Sequence, residues 1–166
     1  MPPDVVIAPY ASQAADQIFQ LILPIQTEEF GIPITRRDQP DLDAIPAYYQ
    51  QGLGNFWVAS WGADVIGTIA LKDIGNHQVA LRKMFVHANH RGAARGVSLR
   101  LLQTAIAWCT QHLVTDIFLG TTGQFHAAHR FYEKNGFAEI DREHLPATFS
   151  IMRVDTKFYW RRLAPT

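Results

Sequence analysis

The segment from Val79 to Cys109 restricts this chain more than any other. An apolar, β-rich run, Val79 to Val86, feeds the loop His90-Arg91-Gly92-Ala93-Ala94-Arg95-Gly96-Val97. Ser98, Leu101, Leu102, Ala105, Ile106 and Cys109 then recur at i, i+3, i+4, i+7, i+8 and i+11. That spacing lays one apolar stripe along a helix, and such a stripe must be buried against another layer. A strand, a small-residue loop and a helix packed back on the sheet therefore form the nucleus of an α/β arrangement.

The same order has chemical meaning. The first N–H groups of a helix lack intrahelical partners and carry the positive end of its dipole, so a glycine-containing loop at that junction suits a phosphate. Read alone, the loop serves equally well as a turn ahead of a core helix. It lacks the G-K-[ST] ending of nucleotide-hydrolase loops, and it does not fit the G-x-G-x-x-G dinucleotide pattern.

The rest of the chain alternates in the same way. Val5 to Ala8 predicts a strand, followed by Ser12 as a helix N-cap and by Ala15, Ile18, Phe19, Ile22 and Leu23 at helical spacing. Pro24 should kink or end that helix, although Gln26 to Phe30 could continue it for a turn. Pro40, Leu42, Ile45 and Tyr49 predict a second, small helix. Asn55 to Trp61 and Val65 to Leu71 flank Gly62-Ala63-Asp64 as a hairpin, and Gln78 to Val86 follows as a third adjacent strand. Ile117 to Leu119 reads as a short buried strand and Ala127 to Asn135 as a helix stopped by Gly136. Phe137 to Ile140 and Phe149 to Val154 are the expected closing strands.

Composition narrows the function classes. Basic and acidic side chains balance at 15 each and only 18% of residues are charged, so no overall field gathers nucleic acid or an anionic membrane surface. Cys109 is the single cysteine. It can form no intramolecular disulfide, and without a C-x-x-C pair a structural zinc site lacks its usual ligands. Met-Pro-Pro-Asp begins no signal-peptide pattern, and no apolar run approaches the ~20 residues of a spanning helix. The expectation is a cytoplasmic protein with no nucleic-acid or membrane partner.

The loop resembles the [QR]-x-x-G-x-[GA] acyl-CoA loop of the GNAT superfamily of N-acetyltransferases, with Arg91, Ala94 and Gly96 at the three marked positions. Further on, Ala128-His129-Arg130-Phe131-Tyr132-Glu133-Lys134-Asn135-Gly136-Phe137 is similar to that superfamily's A-x-x-[FL]-Y-x-K-x-G-F signature. The element order extends the resemblance from Val5 to about Tyr159. It implies the mixed α/β (α+β) GNAT fold in one domain, 1–166. Its central sheet has about six to seven strands flanked by about four helices, with two parallel strands splayed to admit acyl-CoA. The chain departs from the pattern twice. Ala94 stands at the loop's first glycine, and Phe125, with Gln124 beside it, stands where many members carry an asparagine. That asparagine's hydrogen bond is either missing or supplied by Gln124 or Thr122.

The resemblance assigns roles. Acetyl-CoA is the acyl-donor substrate and no metal is required. Backbone of Met84, Phe85 and Val86 pairs with the pantetheine arm as with an added strand. The pyrophosphate lies over Gly92, Ala93, Ala94, Arg95, Gly96 and Val97, with Arg91 and Arg95 as phosphate partners or else solvated loop arginines. Tyr132 is the general acid toward the departing thiolate, its alternative being an aromatic packing residue. Glu28 and Glu29 are candidates for the base or for binding a cationic acceptor, or they are an exposed helix end. His87 is an alternative base. His126 and His129, three apart, read as surface or interface histidines, Cys109 as core.

The resulting expectation is an N-acetyltransferase that acts on an amine, best matched to a small metabolite, by direct attack in a ternary complex. Two alternatives stay open: a non-catalytic acyl-CoA-binding or regulatory module with the same fold, and a protein N-terminus or lysine as acceptor. The resemblance also allows a homodimer.

Overall fold

The computed structural model describes residues 4–92 and 95–163. Its strands are β1 (Val5–Pro9), β2 (Asn55–Trp61), β3 (Asp64–Gly75), β4 (Gln78–Val86), β5 (Asp116–Thr121), β6 (Ala138–Ile140) and β7 (Lys157–Arg162). The helices are α1 (Ala15–Pro24), α2 (Pro40–Asp43), α3 (Ile45–Tyr48), α4 (Val97–Gln111) and α5 (His126–Lys134). All the strands join one sheet in the order β1-β2-β3-β4-β5-β7-β6.

Apolar side chains cover both faces of that sheet. On one, Leu101, Leu102, Ala105 and Cys109 of α4 meet Leu71, Val79, Leu81 and Ile117. On the other, Ile18 and Ile22 of α1, with Leu42, Ile45 and Tyr49, meet Phe56, Val58 and Ala70. Because strand side chains alternate, β4 separates the two clusters residue by residue.

The sheet's one parallel contact positions the site. β4 and β5 pair only at Gln78↔Asp116, Val79↔Ile117 and Ala80↔Phe118. Beyond Ala80 both strands continue without pairing, so they part. The cause lies in β4, where the register against β3 passes from Ala70↔Arg82 to Thr68↔Phe85. Lys83 and Met84 thus stand opposite Ile69 alone, a bulge that bends the strand. Lys83 takes φ +50°, an uncommon conformation for a residue with a side chain, and the Thr68 hydroxyl donates to its carbonyl at 2.6 Å.

Several expectations need correction. Ser12 does not cap α1: it opens a short 3₁₀ turn, and α1 begins after Ala14 with no side-chain cap. Pro24 ends α1, and the chain continues for one π-helical turn, Ile25–Glu29, as the sequence allowed. The small second helix is two single turns, because Ala44 leaves helical dihedrals (φ −139°, ψ 46°) ahead of Pro46, whose ring supplies no N–H to continue a ladder. Phe149 to Val154 is not a strand. Asp155 folds that segment into a turn, its N–H donating to the Met152 carbonyl and its carboxylate accepting from the Met152 N–H. The closing strand is β7 instead, whose Phe158, Tyr159 and Trp160 pair with Gly120, Leu119 and Phe118 of β5. The stop at Gly136 agrees with expectation. Its φ is +89°, and the N–H groups of Gly136 and Phe137 donate to the carbonyls of Glu133 and Tyr132, a Schellman ending with Phe137 packed on Tyr132 at 5.6 Å between ring centroids.

Candidate active site

Where β4 and β5 part, a cleft of about 650 Å³ opens. Met84, Phe85 and Val86 form one side and Ala128, Phe131 and Tyr132 of α5 the other. The edge of β4 that faces β5 has no strand partner beyond Ala80, so backbone groups there are free to pair with an extended ligand. At one end of the cleft lie Gly92, Gly96, Ser98 and Leu99. Gly92 (φ +103°) and Gly96 (φ +69°) both require the glycine conformation. No side chain caps α4, which leaves the first N–H groups of a long helix open to an anion.

Tyr132 is nine-tenths buried, with 6% of its surface exposed. Its hydroxyl meets only the Met84 sulfur, at 3.7 Å, and a thioether is a weak acceptor. Burial pushes the phenol well above its ordinary pKa, so it enters the cleft protonated across the physiological range. The Schellman ending explains the placement, because it locks the last turn of α5 and packs the ring edge of Tyr132 against Phe137.

The two groups expected to meet different substrates meet each other instead. Arg91 donates to both carboxylate oxygens of Glu29, at 2.6 and 2.9 Å, and its Nε donates to the Val86 carbonyl at 2.7 Å. Glu29 is therefore not a free base, and Arg91 offers a phosphate only the donors this pair leaves over. Phe30, on the same turn, packs edge-on against Phe125 at 4.4 Å between centroids, so Phe125 performs a packing role where an asparagine was the alternative. Gln124 lines the cleft, and the Thr122 hydroxyl is buried without a partner. Glu28 is exposed and does not reach the cleft.

The remaining candidates divide. Val97 is 1% exposed and packs in the core, not over the loop. Arg95 is exposed beside the helix start. Ala93 and Ala94 lie outside the described residues. His87 accepts from the Asn89 N–H at 3.1 Å and caps a short turn. His129 is buried and its Nε2 bonds the Thr122 carbonyl at 2.9 Å, fastening the start of α5 to the loop before it. Among the described residues, no group of three His, Cys, Asp or Glu side chains is placed to hold a metal. Burial pushes the Cys109 thiol up to about 12, and no helix of the described residues is long and apolar enough to cross a membrane.

Sequence reasoning missed a polar assembly on the opposite face of β4. Lys83 Nζ donates to Gln39 Oε1 at 2.6 Å and lies 3.6 Å from Asp41 Oδ2. Tyr49, 1% exposed, donates its hydroxyl to Asp41 at 2.6 Å. Gln26 and Gln39 exchange amide hydrogen bonds at 2.9 and 3.0 Å. Burial lowers the Lys83 pKa against the pull of Asp41. Neighbouring Arg82 donates to the Ser150 carbonyl and covers Phe149, while its Nε has no partner. These residues come from five separate segments, and the only signal in the chain was the pair of adjacent cations Arg82-Lys83 inside an apolar strand.

Comparison with known proteins agrees with this architecture. The family model for the acetyltransferase (GNAT) family matches residues 17–137. A GNAT-family acetyltransferase structure from Staphylococcus aureus Mu50 is similar at TM-score 0.92 and 38% identity, over 97% of this chain and 100% of that one. The PaiA N-acetyltransferase of Thermoplasma acidophilum, solved with coenzyme A, shares the fold at TM-score 0.70 and 14% identity, over 96% and 99% of the two chains. N-acetylaspartate synthetase of Xenopus tropicalis is 35% identical over 104 residues, which are 60% of this chain and 37% of that protein. The chain thus spans well under half the length of that curated relative.

Proposed function

The chain belongs to the GNAT family of acetyltransferases, and from that premise we propose that it transfers the acetyl group of acetyl-CoA to the amine of a small metabolite by direct attack in a ternary complex. The observation that carries the reading is Tyr132, a protonated phenol with no strong partner, buried where two parallel strands part and opposite an uncapped helix start. The one partner of its hydroxyl is a weak acceptor, which leaves the proton available to a substrate sulfur at that position.

The residues divide the work by location. The helix start beyond Gly96, with Gly92 and the loop between, suits the pyrophosphate. The free edge of Met84 to Val86 suits the amide-bearing pantetheine arm, and backbone N–H groups at the splay would polarise the acetyl carbonyl as charge develops on its oxygen. Tyr132 then donates its proton toward the leaving thiolate. No step calls on a metal. Arg82, whose Nε has no partner among the described residues, puts a cation on the far face of β4, which suits an acceptor that carries a carboxylate beside its amine. A relative named for making N-acetylaspartate supports that choice. One catalytic unit over 1–166, working in the cytoplasm, completes the proposal. It rests on the single sheet that runs from β1 to β7 and on a lone, buried cysteine.

Acetyl-CoA should raise the melting temperature, by linkage worth about 2.7 kcal/mol at a hundredfold excess over its dissociation constant. A panel of amines and amino acids with acetyl-CoA should then release free thiol with at least one acceptor. An unchanged melting curve at saturating donor would overturn the acyl-CoA assignment, and stabilisation without thiol release from any amine would favour a binding module.

A further inference from the structure

If acetyl transfer occurs at the splay, the acceptor's ammonium must lose a proton, and none of the acidic residues singled out in the sequence reaches the cleft free. A carboxylate stands over the stretch of β5 that β4 leaves unpaired. Gly120 lies two residues past Phe118, the last residue of β5 to pair with β4, and shares the sheet face that Phe118 occupies. Asp155, just ahead of β7, sits directly over it: a Cβ at Gly120 would lie 2.5 Å from Asp155 Oδ2 and 2.6 Å from its Cγ. Glycine at position 120 is what lets the carboxylate lie against that stretch, outside the lining of the cleft itself.

The face matters as much as the distance. Phe118 packs with Ala80, Phe149 and Phe158 on one side of the sheet, whereas Tyr132 packs with Ile117 and Leu119 on the other. Asp155 and Tyr132 thus lie on opposite faces of the sheet, so the proton taken from the amine and the proton given to the sulfur are handled by separate groups.

Resting on the acetyl-transfer reading above, we propose that Asp155 is the general base that takes the acceptor's proton while Tyr132 serves the departing sulfur. One N–H bond of the ammonium breaks, its electron pair stays on nitrogen, and the proton passes to Asp155, directly or through one water. That pair forms the bond to the acetyl carbon. The carbon–sulfur bond breaks with its electrons on sulfur, which receives the Tyr132 proton, and the second proton of the amine restores the phenol. Asp155 returns one proton to solvent per turnover.

The surroundings suit the role. The Met152 N–H at 2.9 Å holds Oδ2 and fixes the side chain. Burial raises the carboxyl pKa above its ordinary value, against that hydrogen bond and the charges of Arg82 and Lys83, which lower it. Those two cations on β4 are the charged groups that act on it, Lys83 being also paired with Asp41; the β5 residue against it is Gly120. A carboxylate moved upward is better matched to proton abstraction near neutrality.

The test compares the full chain with its Asp155→Asn variant, using acetyl-CoA and a panel of primary amines that includes L-aspartate, between about pH 6 and about pH 10. The asparagine oxygen still accepts from Met152, so fold and acetyl-CoA affinity should hold within twofold. The second-order rate constant for the amine should fall by about 10²–10⁴-fold near neutrality. That deficit should shrink as pH rises toward the acceptor's own pKa, where the amine arrives already deprotonated. Asp155→Glu should recover part of the neutral rate. An undiminished rate in Asp155→Asn, or a deficit equal at every pH, would overturn the assignment of the base and leave acetyl transfer standing. A wild-type chain that releases thiol with no amine would overturn both.

Discussion

Two buried tyrosines on opposite faces of the sheet show how differently this fold uses the same side chain. Tyr49 sits beneath α2 with 1% of its surface exposed and donates to Asp41 at 2.6 Å. Tyr132 projects from α5 with 6% exposed and, among the described residues, meets only a sulfur, at 3.7 Å. The first hydroxyl is consumed by the fold, because it satisfies a carboxylate that also faces Lys83. The second is left over. Its one partner is a weak acceptor, so its proton is free to meet a ligand in the cleft.

The contrast extends to the neighbours of each ring. From Tyr49 a chain of polar contacts runs through Asp41, Lys83 and Gln39 to Gln26. Around Tyr132 stand Phe131, Phe137 and Tyr159, aromatic rings within about 6 Å of its centroid. The polar face holds the bulge that parts the strands, since Lys83 carries both the strained backbone and the charge that anchors it. The apolar face holds the phenol that works in the gap.

The contrast breaks most severely at Lys83. Lys83→Met removes one member of a buried pair and leaves Asp41 uncompensated, which should cost about 3 kcal/mol in urea unfolding. Adding Asp41→Asn should recover part of that loss. Unchanged stability in the single variant would mean that the polar face does not hold the bulge. A smaller effect is expected at Tyr49, where Tyr49→Phe strips a donor from a buried carboxylate and should cost about 2 kcal/mol by the same measurement. A loss near zero would place Asp41 in contact with water and dissolve the distinction between the two tyrosines.

The two faces also differ in how far they could be read from the sequence. Tyr132, Gly96 and Gly136 lie in contiguous motifs, where local spacing fixes the helix, its stop and the loop, so their positions were legible. The strand order was legible too, apart from β7. There the expectation fell on Phe149 to Val154, because nothing local announces that Asp155 will turn the chain and hand pairing to the next aromatic run. The polar face was hidden for a physical reason. Gln26, Gln39, Asp41, Tyr49 and Lys83 come together only after the sheet forms, and polar residues spread over a chain read as surface until burial is known. Glu29 and Arg91 were hidden in another way. Each was read by itself, as a substrate contact or an exposed charge, and their pairing with each other appears only in the fold.

Tyr132→Phe tests the central claim most directly, because it keeps the ring and its packing and removes only the proton. Stability should stay level, since the hydroxyl gives up only a bond to a thioether, and acetyl-CoA should bind within twofold of wild type. Thiol release should fall by roughly ten- to a thousandfold, within the range of one general acid, and by less with an acyl donor whose thiolate leaves more easily. Turnover at the wild-type rate, with chemistry shown to be the slow step, would contradict the account and make Tyr132 a second structural tyrosine.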